Sequence, residues 1–323
     1  MSEHNKALSS LGKGLLIGAG AVGSFYAGKL IQAGADIDFL CRSDVDHIKS
    51  QGVSVKSPLG DFSFSPTRVL DHKDFILDDD TDIDTKKSFI HYDFIILATK
   101  VLAPHQTEKL LSPFVAKETI VYLFQNGIFV EKPLQERFPE TVFVSVLAFV
   151  CLNRIGPGLI HHLDYGPLEM GVFPSGELAH SKAMCEIFQS LAIKCRYSES
   201  IQNSRWIKLV WNAPFNPLSV VEGEKDTGEL LSDPVIEKRI RQIMQEVVDL
   251  AALDGYLLKP DVIDQKIDQT KKMAPYKTSM LVDYQAGKSL ESDAILGNAI
   301  RFAKKYEKEV PYLTQLYHEL KNA

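Results

Sequence analysis

Cysteine is scarce in this chain. Cys41, Cys151, Cys185 and Cys195 are the only four in 323 residues, and none stands at C-x-x-C spacing. That excludes a disulfide scaffold and leads to an expectation of free thiols in a reducing cytoplasm. Basic charge is short as well: 36 Lys and Arg face 42 Asp and Glu, a net charge of −6. With no stripe of mixed aromatic and basic residues, nucleic acid is not an expected partner. No hydrophobic run is long enough to cross a bilayer; the apolar stretch from Leu8 to Gly20 is too short and is punctuated by glycine. Met1 to Lys6 lacks the charged region and cleavage site of a signal peptide. No G-x-S-x-G elbow, internal repeat or low-complexity segment is present. What remains is an ordinary globular composition, 45% hydrophobic and 24% charged, in a chain long enough for two domains.

The first part of the chain alternates strands and helices. Leu15-Leu16-Ile17 is a short apolar run ending in glycines. Ala21 to Ala33 has helical spacing, with Val22, Phe25, Tyr26 and Leu30 on one side, and Ile37 to Cys41 is a second strand. Such a β-α-β unit implies parallel strands and a right-handed crossover. Phe94 to Ala98, Thr119 to Phe124 and Val142 to Phe149 are continuous apolar runs, which suit strands buried on both faces. Gly52 to Phe64 alternates around Pro58-Leu59-Gly60-Asp61 and predicts a hairpin. Leu159 to Leu163 and Leu168 to Val172 predict another, turning at Tyr165-Gly166-Pro167.

From Ile201 onward the spacing is helical to the end. Pro234 to Leu253 places Ile236, Ile240, Ile243, Val247, Leu250 and Ala251 on one face, with Asp233 as N-cap and Pro234 at the first helical position. Pro260 to Met273, Ser279 to Gly287 and Ser292 to Tyr306 continue the helical series. The expected architecture is therefore an α/β domain with a Rossmann-type dinucleotide-binding sheet over residues 1–199, followed by an all-α domain over residues 200–323.

Gly18-Ala19-Gly20-Ala21-Val22-Gly23 fits G-x-G-x-x-G, with a strand before it and a helix opening from it. In that context the first glycine permits a tight turn, the second lets backbone approach a pyrophosphate, and the third lets helix pack on strand. The helix N-terminus adds unpaired N–H groups and partial positive charge. Enzymes using NAD carry an acidic residue at the tip of the second strand. Asp38 lies mid-strand, and the residue just past the strand is Arg42, whose guanidinium suits a 2′-phosphate. The expected cofactor is NADPH.

A polar stripe interrupts an otherwise apolar segment between Arg205 and Val221. Lys208, Asn212 and Asn216 are four apart, so an unbroken helix puts them on one face. Buried polar groups need partners, and a bound polar substrate would supply them; a solvated stripe, or a lysine paired with a carboxylate, has the same spacing. Pro214 and Pro217 could kink the helix and displace Asn216.

Taken together, the segments Gly18 to Gly23 with Arg42, Ala98-Thr99-Lys100, Gln125-Asn126-Gly127, Lys208-x3-Asn212-x3-Asn216-Pro217 and Ser279 to Glu291 resemble the ketopantoate reductases (2-dehydropantoate 2-reductases) over nearly the whole chain. The resemblance implies NADPH-dependent reduction of a 2-oxo acid, ketopantoate to pantoate, in pantothenate and coenzyme A synthesis. It implies Lys208 as the general acid and Glu291 as the acidic residue supporting the active site. Asn126, Asn212, Asn216 and Ser279 would bind substrate. Gly18, Ala19, Gly20, Ala21, Val22, Gly23, Arg42, Lys100, Asn126 and Glu291 would line the cofactor. Each also has a plainer reading: Glu291 as a helix-opening acid, Ser279 as an N-cap, Asn126-Gly127 as a turn pair, Lys100 as a solvated strand-end lysine, Arg42 as a surface arginine.

Trp211 and Phe215 make the stripe bulky, and so keep open a related dehydrogenase acting on another 2-oxo or hydroxy acid, or an opine-type substrate. An NADPH-binding sensor without turnover is the remaining alternative. No metal is expected. The acidic stretch from Asp71 to His91 lacks the glycine and closing glutamate of an EF-hand loop and is expected to be a solvated insertion. His161 and His162 are adjacent on a strand and point opposite ways. Cys41 is expected to be a buried strand residue, although Arg42 beside it could lower its pKa. The apolar helical faces make a homodimer an expectation.

Overall fold

The computed structural model describes residues 11–75, 90–101 and 103–323. The chain separates into two compact units, Met1–Gln125 with Glu131–Ile201, and Asn126–Val130 with Gln202–Ala323. The short segment Asn126–Val130 thus belongs with the helices, although it lies in the α/β part of the sequence.

In the first unit the strands are β1 (Lys13–Ile17), β2 (Asp36–Cys41), β3 (Val53–Lys56), β4 (Phe62–Phe64), β5 (Val69–Asp71), β6 (Phe94–Leu97), β7 (Ile120–Leu123), β8 (Val142–Gly156), β9 (Leu159–Val172) and β10 (Cys195–Tyr197). The helices are α1 (Ala21–Gln32), α2 (Val45–Gln51), α3 (Pro104–Leu111), α4 (Lys132–Arg137) and α5 (Ala179–Ser190). The sheet runs β4-β3-β9-β8-β7-β6-β1-β2-β5, with β10 beside β9. From β5 to β8 the neighbours are all parallel. Such a sheet must be covered on both faces, and β1 and β6 are accordingly apolar and buried.

The β3–β4 hairpin forms where the alternation places it. It pairs with β9 at the far end of the sheet rather than with the parallel strands. One consequence is that α1 is enclosed instead of lying on the surface. Gly23 to Gly28 and Leu30 are all buried, and a Cβ on Gly28 would sit 2.2 Å from the Phe64 ring. The Tyr26 hydroxyl donates to the Gly166 carbonyl at 3.0 Å.

The second expected hairpin is corrected by the structure. Residues 159–172 form one long strand antiparallel to β8, and the hairpin turn lies at Gly156-Pro157-Gly158. Tyr165 (φ 64°) and Gly166 (φ 139°) make a bulge within β9. Positive φ at two successive residues lets the strand absorb an extra residue without reversing direction.

The second unit holds α6 (Ile201–Val221), α7 (Thr227–Ser232), α8 (Pro234–Leu253), α9 (Val262–Lys272), α10 (Ser279–Gln285), a π-helical turn (Asp293–Gly297), α11 (Asn298–Lys305) and α12 (Pro311–Asn322). Asp233 caps α8 by accepting from the Val235 and Ile236 amides, and the expected face of α8 is buried. Ile240, Ile243, Val247, Leu250, Leu313 and Leu316 share one core with Leu209 and Val210 of α6. Among the described residues no helix is long and apolar enough to cross a membrane. Of the acidic stretch, Asp78, Asp79, Asp80, Asp82 and Asp84 lie outside the described residues.

Candidate active site

The glycine-rich turn joins β1 to α1, and its three glycines meet three different constraints. Gly18 has φ +98°, and a Cβ there would lie 2.6 Å from the Thr99 amide nitrogen. Gly23 has no such dihedral, but a Cβ would lie 2.5 Å from the Gly18 carbonyl oxygen and 2.9 Å from both Leu16 and Ala98 side chains. Gly20 differs from both: nothing stands within 4 Å of the position its Cβ would take. It is the N-cap of α1, which has no side-chain cap and no acidic residue in its first turn. Ala19, Ala21 and Val22 complete the turn, part-buried. Open space over Gly20 and first-turn N–H groups aimed outward fit the diphosphate of a dinucleotide.

Arg42 is exposed directly after β2. Asp38, the acidic residue on that strand, is fully buried and already engaged. Its Oδ2 accepts from Arg68 at 2.6 and 2.9 Å and from the Tyr92 hydroxyl at 2.8 Å. A carboxylate held this way is unavailable to ribose hydroxyls, which leaves Arg42 as the charged group at the strand tip. Lys100 follows β6, and the loop carrying it is fixed by Gln125. The Gln125 amide donates to the Thr99 carbonyl, the Thr99 hydroxyl and the Lys100 carbonyl at 3.2 to 3.3 Å. Gln125 thus orders the loop after β6, a role its place in the sequence motif does not show.

In the helical unit, α6 carries the polar stripe. It runs unbroken through Pro214 and Pro217, so Lys208, Asn212 and Asn216 do share a face. Asn212 and Asn216 are 6% and 3% exposed. Trp211 and Phe215, three and seven residues after Lys208, lie on the same side of α6. Their rings stack at 4.8 Å, Phe215 is fully buried, and the Trp211 indole N–H donates to the Thr270 hydroxyl at 2.9 Å. The Trp211 bond ties α6 to α9.

Lys208 Nζ donates to Asn126 Oδ1 at 3.0 Å. Asn126 sits in the segment that the helical unit captures. The Gly127 carbonyl accepts from Arg205 at 3.0 Å, the Ile128 amide donates to the Ala294 carbonyl at 3.1 Å, and the Ile128 carbonyl accepts from Asn298 at 2.7 Å. Gly127 has φ +102°, and a Cβ would stand 2.3 Å from the Ala294 oxygen. The close approach to the π-helical turn is why glycine is needed at 127. Glu291 lies just before that turn and its carboxylate acts electrostatically on Lys208. Burial pulls the Lys208 ammonium down to about 7; the Arg205 guanidinium pushes in the same direction and Glu291 opposes it. An amine balanced near neutral pH suits proton transfer. Arg205 escaped sequence reasoning, since an arginine beside a tryptophan on a helix carries no sign of its partner.

Ser279 is exposed at the first position of α10. The cap is Thr278, whose hydroxyl accepts from the Leu281 amide at 3.1 Å and bonds the Ser219 hydroxyl at 2.7 Å. Ser219 in turn donates to the Asn216 carbonyl at 2.7 Å. This chain of bonds ties the start of α10 to the Asn216 turn of α6 and leaves the Ser279 hydroxyl out of the capping. His162 is bonded to Ser57 and to backbone carbonyls of the β9 bulge, and no metal-ligating cluster occurs among the described residues. Burial pushes the Cys41 thiol up to about 12, so Arg42 does not activate it.

Comparison with known proteins agrees across the whole chain. Residues 15–175 match the model of the ketopantoate reductase PanE/ApbA family, and residues 200–323 match that of its C-terminal domain. A 2-dehydropantoate 2-reductase from Nostoc sp. is 35% identical over 311 residues, covering 95% of this chain and 93% of the relative. The crystal structure of 2-dehydropantoate 2-reductase from Methylococcus capsulatus superposes with TM-score 0.85 at 36% identity, over 96% of each chain. That from Geobacter metallireducens gives TM-score 0.85 at 28% identity, over 96% of this chain and 99% of the other. With a dinucleotide-binding α/β unit and an all-α unit each matched, the chain belongs to the ketopantoate reductase family of oxidoreductases.

Proposed function

We propose that the protein reduces a 2-oxo acid with NADPH, and that the substrate is 2-dehydropantoate, giving pantoate for pantothenate and coenzyme A synthesis. The observation that carries this reading is Lys208: part-buried, bonded to Asn126, influenced by Glu291, and balanced near neutral pH. Residues 1–199 are assigned to the cofactor and residues 200–323 to the substrate and the proton. Gly18, Ala19, Gly20, Ala21, Val22 and Gly23 would cradle the diphosphate and Arg42 would pair the 2′-phosphate. Lys100, Asn126 and Glu291 would stand at the nicotinamide end.

When bound, the cofactor supplies a hydride to the carbonyl carbon of the substrate. The carbonyl π electrons move onto oxygen, and Lys208 Nζ gives that oxygen a proton as negative charge builds. The product is a 2-hydroxy acid, and Lys208 recovers its proton from solvent. Asn212, Asn216 and Ser279 would bind the substrate carboxylate and hydroxyl. Asn212 and Asn216 are buried on the stripe, and a polar ligand there would give their amides partners. Asn126 holds Lys208 in place, and Glu291 favours its charged form.

Trp211 and Phe215 on the Lys208 side of α6 keep a related dehydrogenase acting on a bulkier 2-oxo or hydroxy acid as the second reading. A homodimer paired through the helical unit belongs to the same reading and is tested by sedimentation. For the reaction itself, purified protein is mixed with ketopantoate and either NADPH or NADH, and loss of reduced-cofactor absorbance is followed. Turnover selective for NADPH is expected. Tight NADPH binding without turnover on any 2-oxo acid would overturn the proposal in favour of a sensor.

A further inference from the structure

A buried arginine is costly unless its charge is used, because desolvating a guanidinium is repaid only by close partners. Arg205 is 1% exposed. It lies one helical turn before Lys208 on α6, and its Nη1 reaches the Gly127 carbonyl at 3.0 Å. That carbonyl belongs to the residue next to Asn126, whose side chain holds Lys208 Nζ. Gly127 is pressed against the Ala294 carbonyl, and Ile128 is bonded on both sides, to Ala294 and Asn298. The peptide that presents Asn126 is thus pinned on three sides, with Arg205 as the charged pin.

We propose that Arg205 is a positioning residue for the proton donor: through the Gly127 carbonyl it fixes Asn126 against Lys208, and it sets a like charge one helical turn before that amine. The inference rests on the reading of Lys208 as the acid. Two charged groups act on Lys208, Arg205 from its own helix and Glu291 from two residues before the π-helical turn, and they oppose each other. Like charge one turn away favours the neutral amine, so Arg205 lowers the proton affinity that Glu291 raises.

The test uses the intact protein and two readouts. One is the pH midpoint for acetylation of Lys208 by acetic anhydride, read by peptide mass spectrometry, which needs no turnover. The other is the pH profile of kcat with NADPH and ketopantoate. Arg205→Gln keeps a donor for Gly127 and removes the charge. Its acetylation midpoint should rise by about one pH unit, and the alkaline limb of kcat should move with it. Arg205→Lys keeps the charge without the guanidinium fork. Its midpoint should stay in place while kcat falls about tenfold and the KM for NADPH holds. Asn298→Ala, which loosens the same peptide without a charge change, should leave the midpoint where it is.

A folded Arg205→Gln with an unmoved midpoint would overturn the proposal. Where Arg205→Gln does not fold, Arg205→Lys decides, and an unchanged kcat would overturn it. If the wild-type protein fails to turn over ketopantoate, the substrate reading falls on its own. The acetylation midpoints still decide the role of Arg205.

Discussion

Lys208 and Asn126 are 82 residues apart in sequence and bonded at 3.0 Å in the helical unit. The contact exists because residues 126–130 leave the α/β unit and pack with the helices. A turn that looks like a loop between strands therefore delivers a side chain to the amine on α6.

The depressed Lys208 ammonium has a cost for stability, and its sign can be worked out. Unfolded, the lysine titrates near 10.5; folded, near 7. Between those values the unfolded chain binds more protons than the folded one, so Lys208 makes the protein less stable below pH 7 and this penalty fades as pH rises towards 10.5. Lys208→Met should therefore melt higher than wild type at pH 6, by a gain on the order of a few kcal/mol. The gain should shrink steadily across pH 7 to 10. Chemical denaturation at several pH values checks it, and a gain independent of pH would contradict the burial account.

The three glycines of the turn should separate on substitution. A methyl at Gly20 meets no atom within 4 Å, whereas one at Gly23 meets backbone at 2.5 Å. Gly20→Ala should fold with an unchanged melting temperature and lose NADPH affinity. Gly23→Ala should lose about 2 kcal/mol of stability from overpacking. Calorimetry of folding and of cofactor binding distinguishes the two.

Arg42 should set cofactor choice. If Arg42 pairs the 2′-phosphate as proposed, Arg42→Ser should raise the KM for NADPH about tenfold to a hundredfold. NADH kinetics, which do not involve that phosphate, should be almost unchanged. Equal loss with both cofactors would mean that Arg42 acts elsewhere.

Thr278 and Ser279 should divide stability from binding. Thr278→Val removes the cap of α10 and the bond to Ser219, costing about 1 kcal/mol or somewhat more. Ser279→Ala, at an exposed first-turn position, should leave the melting temperature alone and raise the KM for ketopantoate about three- to tenfold. Steady-state kinetics beside thermal melts check both.

Local features were readable in the sequence because their causes are local. The β-α-β unit, its glycine turn, the capped helix at Asp233 and the four-residue spacing of Lys208, Asn212 and Asn216 depend on residues close together in the chain. The bulge at Tyr165-Gly166 was read as a turn, since positive φ serves both and only the pairing partner β8 decides between them. Enclosure of α1 was hidden because the hairpin covering it pairs with distant β9. Arg205 and Gln125 work by bonding backbone carbonyls far along the chain, which no periodicity signals. The plainer reading of Ser279, an N-cap, belongs to its neighbour Thr278, a difference of one residue that only the hydrogen bonds resolve.

The most direct test of the account is Lys208→Ala assayed with NADPH and ketopantoate beside the wild type, across a pH range. Wild-type reduction should fall as pH rises through about 7, where the ammonium loses its proton. The variant should bind NADPH normally, turn over roughly a hundred- to ten-thousandfold more slowly, and lose that pH dependence. A variant within a few-fold of the wild-type rate, with the same pH profile, would show that the proton comes from another group.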